Sequence, residues 1–90
     1  MNLAWTIEVS VAAERQLSKM DRAIAKRVTR YLIERVGGTN NPRALGKPLQ
    51  GNLQSYWSYR VGDYRLICEI QDHHLVVLVI DIGHRREVYR

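Results

Sequence analysis

The chain has 90 residues, enough for a single domain spanning 1–90 and too few for two hydrophobic cores. Its 46% hydrophobic and 26% charged residues are the balance of a folded globular domain, which excludes intrinsic disorder, collagen-like repeats and low complexity. Fourteen Lys and Arg against nine Asp and Glu leave a net charge of +5, and eleven of the fourteen are Arg, whose planar guanidinium matches phosphate, so a polyanionic or acidic partner is favoured.

The pattern opens on a short alternating strand, with Leu3, Trp5 and Ile7 on one side and Thr6 and Glu8 on the other. Ser10 then caps a helix whose apolar positions are Ala13, Leu17 and Met20, and Asp21 caps a second carrying Ile24, Val28, Leu32 and Val36. Gly37 and Gly38 are expected to end that helix through a left-handed residue after its last turn. The stretch from Thr39 to Asn52 holds both prolines and two further glycines and reads as a loop tethered by Leu45 and Leu49.

From Tyr56 the period changes to two, giving a meander of Tyr56 to Val61, Tyr64 to Ile70 and Leu75 to Ile82. The Gly62-Asp63 turn between the first two has the glycine-first signature of a type II′ hairpin, which sets Val61 opposite Tyr64, Arg60 opposite Arg65 and Tyr59 opposite Leu66. Trp57, Tyr59, Val61, Tyr64, Leu66, Cys68 and Ile70 then share the core face, and Ser58, Arg60, Arg65 and Glu69 the other. The last strand is apolar on both faces, with Val76, Leu78 and Ile80 on the second, so it should lie inside the sheet with the first strand available as its other neighbour. The fold class is therefore α+β: one strand, two N-terminal helices, then a three-stranded antiparallel meander, with the helices packed on one sheet.

The hairpin register sets two guanidinium groups directly across from each other, roughly 5 Å apart at Cβ, where like charges repel. An anion, a phosphodiester or an acidic peptide, turns that repulsion into charge-assisted hydrogen bonds; the alternatives are that both side chains splay into water or that Glu69 and Asp63 compensate them. Beyond Gly83 the chain carries three arginines, a histidine and a tyrosine within His84 to Arg90, a density of phosphate-compatible groups. The helical cations Arg15, Lys19, Arg22, Lys26 and Arg30 suit either a nucleic-acid backbone or a solvated face, and His73 and His74 read as a solvated turn. Cys68 has no partner for an internal disulfide and reads as core packing; with no zinc-like Cys/His spacing and no nucleotide or hydrolase motif, no metal and no cofactor are expected. The longest apolar run, Leu75 to Ile80, falls far short of the roughly 18 residues of a membrane span, so no membrane partner and a cytoplasmic location are expected.

Three segments in combination, Gly46-Lys47-Pro48-Leu49-Gln50-Gly51, Tyr59-Arg60-Val61-Gly62-Asp63-Tyr64-Arg65 and Gly83-His84-Arg85-Arg86-Glu87-Val88-Tyr89, make the chain closely resemble the RelE/ParE superfamily of bacterial toxin-antitoxin toxins over essentially its whole length. The resemblance implies a toxin neutralised by a cognate antitoxin. RelE-type members enter the ribosomal A site and cut messenger RNA, making ribosome and mRNA the partners; ParE-type members instead poison DNA gyrase, the alternative partner. The RelE-type reading is preferred because Arg65, Arg85 and Tyr89 occupy the family's catalytic places on the strand after the turn and beyond the last glycine. Arg60, His84, Arg86 and Lys47 are the expected RNA contacts.

The implied reaction is metal-free attack of the ribose 2′-oxygen on the adjacent phosphorus. Arg65, assisted by Arg60, stabilises the phosphoryl charge; Arg85, or chemically better His84, protonates the leaving 5′-oxygen; Tyr89 stacks on a base or moves a proton. The family's lysine pair on the strand before the turn is replaced by Trp57, Ser58 and Tyr59, which leaves the base open between Tyr89, His84 and a ribosomal RNA group.

Overall fold

The computed structural model describes residues 4–49 and 56–84. In chain order these form β1 (Thr6–Val9), α1 (Val11–Lys19), α2 (Arg22–Arg30), β2 (Lys47–Pro48), β3 (Tyr56–Val61), β4 (Tyr64–Gln71) and β5 (Val76–His84). The strands make one mixed sheet in the order β1-β5-β4-β3-β2, with β1 parallel to β5 and the remaining pairs antiparallel. The architecture is α+β with both helices on one face. The first strand is the last strand's other neighbour, as offered by the sequence; the departure from the expected meander is the added edge strand β2 on the other side.

The hairpin register is as expected: Val61 pairs with Tyr64, Arg60 with Arg65 and Tyr59 with Leu66. Gly62 has φ 58° while Asp63 does not enter positive φ, the combination a type II′ turn requires. The core face of the sheet, Tyr59, Val61, Leu66, Cys68, Ile70, Val77, Val79 and Ile82, is buried against Trp5, Ala13, Val28, Leu32 and Val36. Trp57 and Tyr64, expected in the core, are half-buried at its margin.

Strict alternation along β5 would put Asp81 in the core with Val77 and Val79 and send Ile82 to the outer face. A bulge prevents this. Cys68 pairs with Val79 but Ile67 with Asp81, so Ile80 is the extra residue and Ile82 returns to the core at 1% exposure. Here β1 has already ended, and α1 takes over the freed backbone groups: Ser10 Oγ donates to the Ile80 carbonyl at 3.0 Å, and Gln16 Oε1 accepts from Ile82 N–H at 2.7 Å. The same Ser10 oxygen accepts from Ala13 N–H, so the expected N-cap also joins helix to strand. Asp21 caps α2 as expected, accepting from Ala23 N–H.

The apolar stripe of the second helix survives by a change of pitch. In an α-helix a four-residue spacing drifts by about 40° per step, so residues 24, 28, 32 and 36 cannot all face one core. From Tyr31 to Val36 the helix widens into a π turn, closed by Gly37 N–H to Leu32 O at 2.8 Å. Val28, Leu32 and Val36 are thereby buried, whereas Ile24, expected in the stripe, is 37% exposed. Gly37 has right-handed φ −71° and Gly38 is not in positive φ either, so the expected left-handed cap is absent; glycine serves at 38 because a Cβ there would lie 2.6 Å from the Glu34 carbonyl oxygen.

Within the expected loop from Thr39 to Asn52, Pro42–Leu45 forms a 3₁₀ turn and Lys47–Pro48 the edge strand β2; residues 50–52 lie outside the described residues. Proline fits an edge strand because its missing N–H is not needed by a second neighbour. Leu75, expected to begin the last strand, instead sits at φ 53°, and its carbonyl accepts from Thr6 N–H at 2.8 Å, starting the β1–β5 pairing. The last strand runs on through Gly83 to His84, two residues beyond its expected end. No helix among the described residues is long and apolar enough to cross a membrane.

Candidate functional site

On the sheet face away from the helices, Lys47, Ser58, Arg60 and Arg65 line a groove of about 280 Å³ closed at one side by Ala44, Leu45 and Gly46. Three strands supply these side chains: β2 sets Lys47 directly opposite Ser58, and the hairpin sets Arg60 opposite Arg65. Arg60 is exposed and its Nε donates to the Gly62 carbonyl at 3.3 Å, turning the guanidinium over the hairpin tip. Arg65 is half-buried with its Nε fully enclosed, so its stem is sunk into the sheet surface. Ser58, on the face opposite the core as expected, is covered beside β2 and only 6% exposed. Glu69 accepts from Gln71 Nε2 at 2.7 Å.

The wall that carries Lys47 is held from both ends. Tyr59, wholly buried, donates its hydroxyl to the Pro42 carbonyl at 2.7 Å, and burial raises its phenol above the ordinary range. At Gly46 the wall passes so close to β3 that a Cβ would lie 2.8 Å from the Ser58 carbonyl oxygen and 2.9 Å from the Tyr59 ring. Arg43 grips Asp72 through two parallel bonds of 2.9 and 2.7 Å, and its guanidinium lies 5.8 Å from the Trp57 ring centroid. That side-chain bond to Arg43 holds the Asp72 carboxyl below its usual range.

The remaining expected site residues are distributed differently. His84 pairs with Tyr64 across the sheet, with ring centroids 5.7 Å apart, and opens onto a separate groove on the helix side formed with Gln16, Lys19, Met20 and Ile82. Arg85, Arg86 and Tyr89 lie outside the described residues. Cys68 is buried in the core, where desolvation raises its thiol far above the ordinary value, consistent with packing and not chemistry. Among the described residues no cluster of three His, Cys, Asp or Glu side chains has the geometry to hold a metal ion. What the sequence reading missed is the wall itself: the Tyr59–Pro42 bond and the Arg43–Asp72 grip join residues 17 and 29 positions apart, beyond any local pattern.

A mixed sheet that buries one face under two helices and gathers cations in a groove on the other defines a small basic α+β protein suited to an anionic partner. The profile of the ParE toxin family, described as the ParE toxin of type II toxin-antitoxin system, parDE, matches residues 7–89. Two Mycobacterium tuberculosis proteins are similar over nearly the whole chain: Toxin RelG, 31% identical over 98% of this chain and 99% of its own length, and Toxin RelE, 34% identical over 96% and 87%. Among solved structures, the toxin-antitoxin complex RelBE2 from M. tuberculosis contains a chain with TM-score 0.84 and 29% identity over 97% of this chain and 98% of that one. A mutant of E. coli toxin RelE in the free state shares the fold, with TM-score 0.75 and 20% identity over 96% and 88%. The chain belongs to the RelE/ParE superfamily of toxins of type II toxin-antitoxin systems, and within it is related to the RelE toxins.

Proposed function

We propose that this toxin is a ribosome-dependent endoribonuclease that cuts messenger RNA in the A site, acting in the cytoplasm and held inactive by a cognate antitoxin, as the RelBE2 toxin is found in complex with one. The observation that carries the reading is the convergence of Lys47, Arg60 and Arg65 in one groove. Three cations on three strands concentrate positive charge along one groove, and a phosphodiester is an anion whose charge grows during cleavage.

In the reaction the 2′-hydroxyl loses its proton, its oxygen bonds to phosphorus, the P–O5′ bond breaks, and a proton passes to the 5′-oxygen, leaving a 2′,3′-cyclic phosphate and a 5′-hydroxyl. Arg65, anchored by its sunken stem, stabilises the phosphoryl oxygens with Arg60. Lys47 answers the missing lysine pair: positions 57 to 59 carry no amine, and β2 supplies one from the neighbouring strand opposite Ser58. Arg85 is assigned the leaving-group side and Tyr89 the splayed base or a proton on the resemblance alone, with His84 and Arg86 as further RNA contacts.

Primer extension on messages translated by programmed ribosomes tests the reading. Wild-type protein should cut in frame at the A site, Arg65→Ala should cut about 100-fold or more slowly, as removal of one preorganised donor does, and Lys47→Ala should be slowed in the same direction. The match to the ParE family profile supports a second reading, a gyrase poison without nuclease activity. Uncut messages together with gyrase-dependent DNA breaks would replace the first reading by the second.

A further inference from the structure

A second cationic groove lies on the helix side of the sheet. Arg27, Arg30 and Arg35 from the second helix and Arg60 from β3 surround a cavity of about 370 Å³, floored by Tyr31, Val61 and Gly62, with Glu34 as its acidic member. Glu34 is engaged with Arg30 at 3.7 Å, one turn away on the same helix. Arg27 lies against the hairpin turn, where a Cβ on Gly62 would be 3.4 Å from its Nη1, and Arg60 reaches the same glycine through the bond to its carbonyl. Arg35 lies 5.9 Å from the Tyr31 ring centroid, and that ring is itself braced against Tyr59 with centroids 6.3 Å apart. Two guanidinium groups thus flank one glycine, with a third over a fixed aromatic ring.

We propose that this groove is a second contact site for RNA phosphodiester backbone, distinct from the Lys47–Arg65 groove and joined to it around the hairpin tip by Arg60. The proposal rests on the RNA reading above. Three features favour a nucleic-acid backbone over a protein segment. Every cation here is Arg, whose fork holds two phosphate oxygens at once. Four arginines line it against the single carboxylate of Glu34, a net positive charge that suits a polyanion. Arg60 lines both grooves, so one cation is shared between a strand's two ends across the hairpin. The backbone could come from the message or from ribosomal RNA; the chemistry is the same, and binding assays separate the two.

The test uses the full chain with Arg27→Gln and Arg35→Gln together, both exposed positions. A control, Arg15→Gln with Arg22→Gln, removes the same charge elsewhere on the helices, and Arg27→Lys with Arg35→Lys keeps the charge. Affinity is measured for a labelled single-stranded oligoribonucleotide and for ribosomes without message, across a salt series, with circular dichroism to verify folding. Loss of two backbone contacts should weaken binding about tenfold or more and lower the salt slope by about 1.4 on single-stranded RNA, while the lysine variant stays close to wild type. Weakening on the oligoribonucleotide assigns the groove to the message, and weakening on vacant ribosomes alone assigns it to ribosomal RNA; either supports the site. Equal weakening in the control, or unchanged RNA binding with lost binding of the cognate antitoxin, overturns it. Because these are binding measurements, a wild-type protein that cuts no message defeats the nuclease reading without deciding this one.

Discussion

Replacing Tyr59 by Phe removes one oxygen from the centre of the fold and nothing else. The ring remains packed, so no cavity opens, but the Pro42 carbonyl loses the donor that reaches it at 2.7 Å. Pro42 is fully buried, so water cannot readily replace that donor. Stranding a buried acceptor costs about 1 to 3 kcal/mol, more than the net 0.5 to 1.5 kcal/mol of an average hydrogen bond. In a domain of this size each kcal/mol lowers Tm by about 4 to 8 °C. Urea unfolding at pH 7 should therefore show the lower midpoint with an unchanged slope. The difference should also depend on pH. Burial raises the Tyr59 phenol above its usual 10.0, so the folded chain keeps it neutral while the unfolded chain begins to ionise near that value. Its contribution is fully present below pH 10 and declines above it, so wild type and variant should converge in alkali. A loss under about 0.5 kcal/mol at pH 7, or a gap that stays constant through pH 11, would refute the argument that this bond holds the groove wall.

Gly46→Ala should lower stability and impair RNA cleavage together, because the new methyl meets the Ser58 carbonyl at 2.8 Å and must push β2, and Lys47 with it, off β3; thermal unfolding and the primer-extension rate measure both. Asp72→Asn should lower Tm slightly at neutral pH and make no difference in strong acid. The Arg43 bond depresses the Asp72 carboxyl, so its stabilisation is present above the ordinary value of 3.8 and is lost as pH falls through the lower folded value, which Tm measured at pH 7 and pH 2 will show.

The Arg60–Arg65 pair was legible because a two-residue turn leaves one register, and register assigns every side chain to a face. The inner position of β5 was legible for a related reason: a strand apolar on both faces needs cover on both. Periodicity failed where tertiary contacts reset it. The π turn at Tyr31–Val36 exchanges regular pitch for burial of Val36, and the bulge at Ile80 exchanges regular alternation for an Asp81 outside the core. Both deviations cost local hydrogen-bond regularity that only the packed fold repays, so a window of sequence contains no sign of either.

Lys47 was named from the resemblance as an expected RNA contact, but its place beside the arginine pair was not legible. In the sequence it stands beside a proline, in a segment too short and too interrupted to read as a strand. The fold lays it along β3 opposite Ser58, where Tyr59 holds Pro42 and Gly46 admits close approach, and there it lines the groove with Arg60 and Arg65. The residues that make this possible carry no charge and would touch no substrate. A search for amines on the strand before the turn finds Trp57, Ser58 and Tyr59 and leaves the base open between Tyr89, His84 and a ribosomal RNA group. The fold brings a third cation into the groove from the next strand, and the buried hydroxyl of Tyr59, one of the residues standing where an amine was expected, bonds to Pro42 in the segment that leads into that strand.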